Sequence, residues 1–137
     1  MKKKELELLL EQVGDIASPD AAKEQYSTPA AVASELLHFA LMHGDIAQCV
    51  VYDLGCGSGI LAIGAKLLGA KEVVGIDKDK AAIEVAQTNS RRLGVEVVFR
   101  ACDVRAVAGK CDTVVMNPPF GAQRRNRHAD RLFLERA

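Results

Sequence analysis

The residues with most to offer chemically are Asn117-Pro118-Pro119-Phe120, at the end of the apolar run Cys111 to Met116. A side-chain amide and an adjacent proline carbonyl both accept hydrogen bonds from an NH2 group, and the Phe120 ring gives that group's parent ring a surface to stack on. Proline supplies its carbonyl without a competing N–H, and its fixed φ holds the carbonyl's direction. The chemistry that suits these tools is methyl transfer to an amino group on a flat ring. The same tetrapeptide also describes a buried strand that ends in a proline turn, so taken alone it leaves both readings open.

A second set lies upstream, in Asp53-Leu54-Gly55-Cys56-Gly57-Ser58-Gly59. Glycines let the backbone turn sharply and approach a ligand closely, and a helix that follows presents free N–H groups to an anion. Such loops also occur without ligands, and nucleotide-binding dehydrogenases use a related one. Asp53, immediately before the glycines, would repel a pyrophosphate and welcome an ammonium group. Asp77 closes the next apolar run eighteen residues beyond Gly59, where a carboxylate can accept both hydroxyls of a ribose. Asp103 follows a third run and is placed to accept from an adenine amino group. Singly, each acid also fits a helix cap or a loop salt bridge, and Asp79 reads as a cap only. Three acids at three successive strand ends match the edge at which open α/β sheets bind ligands. An amino acid, a ribose and an adenine without phosphate are the parts of S-adenosyl-L-methionine.

The elements that must position these residues follow from periodicity. Leu6, Leu9, Leu10 and Val13 predict an amphipathic helix from about Lys3 to Val13, ending near Gly14. Thr28-Pro29 resembles an N-cap with proline at the first helical position, opening a second helix to about Met42 whose buried side carries Val32, Leu36, Leu37 and, in part, Phe39. Cys49 to Tyr52 is a strand ending at Asp53, followed by the glycine loop and a helical segment to about Leu68. Glu72 to Ile76 is the next strand, Asp79 caps a helix to Leu93, and Val95 to Ala101 and Cys111 to Met116 are the third and fourth strands. Strands alternating with helices indicate βαβ units and an α/β fold with a Rossmann-like, doubly wound parallel sheet. Right-handed crossovers place helices on both of its faces.

Composition narrows the class. With 137 residues, 49% of them hydrophobic, the chain has material for a core and reads as one domain rather than a disordered tail. Eighteen basic and eighteen acidic residues cancel, so the whole carries no nucleic-acid signature. From Gln123 onward, however, Arg124, Arg125, Arg127, Arg131 and Arg136 face Asp130 and Glu135, a local balance of +3 directly after the amine-accepting residues. A solvated helix would show the same run, and its position is what favours phosphate binding. Cys49, Cys56, Cys102 and Cys111 form no C-x-x-C pair and read as small buried hydrophobes rather than metal ligands or disulfides. No apolar stretch matches a signal peptide or a membrane span, which places the protein in the cytoplasm, away from membranes.

With DLGCGSG, the acid at the second strand end and NPPFG after the fourth strand, the chain resembles class I S-adenosylmethionine-dependent methyltransferases that methylate amino groups. It is similar above all to the archaeal and eukaryotic methyltransferase-like-five family of small-subunit ribosomal RNA adenine-N6 methyltransferases, through Glu24-Gln25-Tyr26 with Thr28, DLGCG and DTVVMNPPFG. The resemblance implies that Gln25, Tyr26 and Thr28 close over the cofactor, that Asp53, Gly55, Cys56, Gly57 and Gly59 surround its methionine portion, and that Asp77 holds the ribose and Asp103 the adenine. It further implies that Asn117 and Pro118 accept the amino hydrogens of an adenine flipped out of its stack, with Pro119 completing the turn and Phe120 stacking on the base. Such transfer needs positioning more than a strong base, and His38, His43 and His128 lie in no motif.

On this reading residues 1–44 are an N-terminal helical element and 45–137 a cofactor-binding α/β core that lacks the family's last strands. Its fourth strand would be an exposed sheet edge, left by a fragment or covered by another chain. The family resemblance also implies a small activator protein beside an RNA substrate. Guanine-N2, DNA adenine and protein glutamine methylation use the same planar amine chemistry. A non-catalytic cofactor- or RNA-binding module and an NAD-dependent oxidoreductase are the readings from other classes, the last disfavoured by Asp53.

Overall fold

β-Branched runs and helical stretches alternate along the chain, and the computed structural model, which describes residues 1–14, 28–106 and 109–116, turns that alternation into a parallel sheet. The strands are β1 (Val50–Leu54), β2 (Glu72–Asp77), β3 (Val98–Ala101) and β4 (Thr113–Met116), in the order β3-β2-β1-β4. All three pairings are parallel. The chain therefore winds outward from β1 through β2 to β3, then returns to lay β4 on the other side of β1. That reversal is the doubly wound, Rossmann-like signature, and it opens a crevice beyond the carboxyl ends of β1 and β4. Register aligns Leu54 with both Ile76 and Met116, and Asp77 with Ala101, so the strands end level along one edge.

Among the described residues four helices accompany the strands: α1 (Lys3–Leu10), α2 (Ala30–Met42), α3 (Ile60–Leu67) and α4 (Lys80–Arg92). Leu6 and Leu10 of α1, Ala33 and Leu37 of α2 and most of α3 are buried with Val51, Val73 and Val115 of the sheet. The near-absence of polar residues from α3 follows from its place between the sheet and the α1–α2 pair. On the opposite sheet face Leu54, Val74 and Ile76 pack with Tyr52, Val114, Met116, Cys102 and Val104, a cluster that includes no residue of α1 to α4. Helical cover is thus seen on one face among the described residues. The described part of the β3–β4 crossover contains the 3₁₀ turn Val104–Ala106.

Several boundaries differ from the sequence reading. β1 continues one residue past Asp53, β3 begins at Val98 rather than Val95, and β4 at Thr113 rather than Cys111. Pro29 occupies the N-cap of α2, one position later than expected, and its carbonyl accepts from Ala33 N–H at 2.9 Å. Asp79 caps α4 as expected, accepting from Ala81 N–H at 2.9 Å. The larger change concerns the face of α2. Ala33, Ser34 and Leu37 point inward, whereas Val32 and Phe39 are 54% and 65% exposed and Leu36 is exposed as well. A close approach explains it: Leu37 Cδ1 occupies the space that a Cβ on Gly64 of α3 would take, so the glycine admits Leu37 on the inward face. Of the cysteines, Cys56 is buried and the others partly so, and all four thiols are free.

Candidate functional site at the carboxyl edge of the sheet

The loop from β1 to α3 is held by its own backbone and by the end of β2. Gly55, Gly57 and Gly59 have φ of 73°, 53° and 87°, all in the left-handed region. Gly55 N–H and Cys56 N–H both donate to the Ile76 carbonyl, at 2.7 and 2.9 Å, and Gly59 N–H donates to the Cys56 carbonyl at 2.8 Å. Gly59 is also sterically confined, since a Cβ there would stand 3.0 Å from Ala86 Cβ and 3.2 Å from the Phe99 ring. The same ring lies across Gly75, where a Cβ would come within 2.6 Å of it. Two glycines thus make room for one aromatic ring against the loop.

Asp53 is 1% exposed. Its Oδ2 accepts from Ala62 N–H at 3.1 Å, so it caps the first turn of α3, and its Oδ1 has no hydrogen-bond partner among the described residues. Burial pushes its pKa up to about 7, the charge of Asp77 adds to the rise, and the Ala62 N–H opposes it. The acid expected at the strand's end is inside β1, one residue before its last, facing the helical layer. It takes up one of the α3 N–H groups that the sequence reading had offered to an anion. Asp77, half-buried at the end of β2, accepts from Gly57 N–H through Oδ2 at 3.0 Å and from Asp79 N–H through Oδ1 at 2.9 Å. Each carboxylate oxygen retains acceptor capacity for a second donor. Burial first, then Asp53 and Asp77, push the Cys56 thiol up, so it stays protonated.

Asp103 stands apart from this set. Its Oδ1 accepts from Arg105 N–H at 2.8 Å and Nε at 3.2 Å, and its Oδ2 from Arg105 Nη2 at 3.0 Å. The guanidinium holds its pKa down to about 2. This is the loop salt bridge allowed for in the sequence, at the same sheet edge. Among the described residues no cluster of His, Cys, Asp and Glu could hold a metal ion, and no helix is long and apolar enough to cross a membrane.

Comparison with known proteins places this geometry. The family model for ribosomal protein L11 methyltransferase (PrmA) matches residues 36–118. The rRNA N(6)-adenosine-methyltransferase METTL5 of Danio rerio is 40% identical over all of this chain, which covers 69% of it. An uncharacterized protein of Methanocaldococcus jannaschii is 42% identical, again over the whole chain and 66% of its own length. A crystal structure from Pyrococcus horikoshii, of a protein assigned as an RNA methyltransferase, superposes with a TM-score of 0.88 at 44% identity, over the whole chain and 66% of that one. The chain belongs to the class I methyltransferase family that includes METTL5 and PrmA. It spans about two thirds of the length of the relatives it matches over its whole length.

The described residues bring together Asp53, Gly55, Cys56, Gly57, Gly59 and Asp77, with Asp103 further along the edge. Thr28, partly exposed, stands two residues before α2. Gln25, Tyr26, Asn117, Pro118, Pro119 and Phe120 lie outside the described residues. Met116, which precedes Asn117 in sequence, is the register partner of Leu54 on the neighbouring strand. Sequence reasoning missed Phe99, Ser58 and Asn89. Asn89 Nδ2 donates to the Ser58 carbonyl at 3.0 Å from a buried position on α4. Its signal was present: Ala82, Ile83, Ala86, Asn89 and Ser90 form one helical stripe, and two polar residues on an otherwise apolar stripe need buried partners.

Proposed function

We propose that this protein is an S-adenosylmethionine-dependent N-methyltransferase acting on adenine N6 in ribosomal RNA. The observation that carries the cofactor half is the unpartnered Oδ1 of buried Asp53 beside a loop of three left-handed glycines at the sheet's switch point. An acceptor left alone in the interior costs stability unless a donor completes it, and a ligand ammonium group is such a donor. The residues present therefore fit the cofactor. Asp53, Gly55, Cys56, Gly57 and Gly59 would surround its amino acid end, Asp77 would accept from its ribose, and Asp103 would reach its adenine beside Arg105. Gln25, Tyr26 and Thr28 would close over it. Bound there, S-adenosyl-L-methionine supplies an electrophilic methyl group on a sulfonium centre.

Asn117 and the Pro118 carbonyl would accept the two amino hydrogens of a flipped adenine, with Pro119 beside them, and Phe120 would stack on the base, a contact worth ~1–3 kcal/mol. These contacts would aim the nitrogen lone pair, so the residues' contribution would be positioning rather than a strong base. Ribosomal RNA as substrate is supported by whole-chain similarity to METTL5 of Danio rerio. A small activator protein and a cytoplasmic location accompany that reading. So does a single methyltransferase domain with residues 1–44 as helical element and 45–137 as core.

The test is a tritiated-cofactor assay run separately on RNA, DNA and protein substrates, with calorimetric cofactor titration alongside. Label should enter adenine of ribosomal RNA, and Asn117→Ala should abolish transfer while cofactor binding persists. Transfer to protein, or an active Asn117→Ala enzyme, would overturn the assignment.

A further inference from the structure

Asn89 makes three hydrogen bonds, and together they join two segments far apart in sequence. Its Oδ1 accepts from Gly14 N–H at 3.0 Å, and its Nδ2 donates to the Gly14 carbonyl at 2.9 Å and to the Ser58 carbonyl at 3.0 Å. Both amide hydrogens are used, and two carbonyl partners with one N–H partner fix which end of the amide faces which group. The side chain is 1% exposed. Ser58, itself buried, lies between Gly57 and Gly59 of the loop; Gly14 lies four residues beyond the end of α1. One helical turn further along α4, Arg92 Nη1 donates to the Gln12 carbonyl at 3.0 Å, at the surface.

We propose that Asn89 is a positioning residue through which the docking of the N-terminal segment at Gly14 sets the shape of the cofactor loop at Ser58. The proposal rests on the cofactor site described above. Ser58 cannot turn its carbonyl toward another partner while Nδ2 holds it, and the left-handed glycines on either side depend on that peptide's orientation. Nδ2 holds Ser58 in place only while Oδ1 and the second amide hydrogen are engaged by Gly14. A donor lost on either side leaves a buried carbonyl unpaired, and the loop is the more adjustable partner because its conformation already relies on glycine.

The variant Asn89→Asp keeps the shape and the acceptor for Gly14 N–H but sets a carboxylate oxygen against both carbonyls. Calorimetry with S-adenosyl-L-methionine, run well below the melting temperature, should show affinity weakened roughly tenfold. Arg92→Ala, which loses the surface bond to Gln12, should leave it unchanged. An Asn89 that merely stabilises the fold would lower the melting temperature and leave the dissociation constant of the folded protein alone. In the wild type, saturating cofactor should also slow hydrogen exchange of the Gly14 amide, a readout that decides the matter should Asn89→Asp fail to fold. Equal affinity in Asn89→Asp, or a Gly14 amide that ignores the cofactor, overturns the proposal. A wild type that does not bind the cofactor overturns the cofactor site itself, so the two failures are distinguishable.

Discussion

Replacing Asp53 by asparagine separates what the carboxylate costs the fold from what it offers a ligand. Burial, with Asp77 adding to it, raises the Asp53 pKa from 3.8 to about 7 against the Ala62 N–H. At ~1.4 kcal/mol for each decade, holding this group ionised costs the folded state about 4 kcal/mol. The sign follows from proton binding. The folded carboxyl keeps its proton more tightly than the unfolded one, so its contribution to stability is fully present below pH 3.8, declines as pH rises toward about 7, and is flat above that.

Asparagine does not titrate. It retains an acceptor for Ala62 N–H and places an uncharged NH2 where Oδ1 has no partner, at a cost of ~1–3 kcal/mol that does not depend on pH. Urea unfolding of both proteins from pH 5 to pH 8 at constant ionic strength should therefore show the wild type losing about 3 kcal/mol relative to Asp53→Asn over that interval. The variant should be the less stable protein at the acid end and should match or exceed the wild type at the alkaline end. Because an ammonium ligand favours ionised Asp53, wild-type affinity for S-adenosyl-L-methionine should rise through about pH 7, in step with the same titration. The variant should bind more weakly and without that rise. Parallel stability profiles would refute the reasoning, since they would mean that Asp53 is ionised at no cost to the fold.

Two further perturbations test the geometry. Asp77→Ala removes the acceptor for both Gly57 N–H and Asp79 N–H, and cofactor affinity should fall on the order of tenfold or more by calorimetry; an unchanged constant would mean that the loop does not depend on β2. On α2, Leu37→Ala should cost ~2–5 kcal/mol in denaturant unfolding whereas Phe39→Ser should stay within ~0.5 kcal/mol. Comparable losses would reverse the assignment of the buried face.

The alternation of strand, glycine loop and helix was legible because each element obeys its own period, and Asp79 because a cap is a local event. The face of α2 was not. Its sequence, AAVASELLHFALM, is apolar nearly all round, so periodicity offers two faces, and the choice is made by Gly64 and Leu37, which meet only in the folded chain. For Asp103 the sequence left an adenine contact and a loop salt bridge both open, and the described structure shows the salt bridge, to Arg105 two residues later. Asp53 was legible as an acid beside the glycines, whereas its burial was not. Its burial depends on α3 folding back over β1, which no local pattern encodes.

The residues that bind this site together are those that break a local rule. A carboxylate inside an apolar strand, a glycine at Gly75 in the middle of another and an amide at Asn89 on the apolar stripe of α4 each weaken the element that contains them. Each is compensated across the fold: Asp53 by Ala62 N–H, Gly75 by the Phe99 ring, Asn89 by Gly14 and Ser58. All three compensations converge on the loop between β1 and α3. A sequence selected for stability alone would place valine or alanine at those positions. Their concentration around one loop therefore argues that the loop's shape, rather than the sheet's stability, is what these residues serve, and it is beside that loop that the Asp53 Oδ1 has no partner among the described residues.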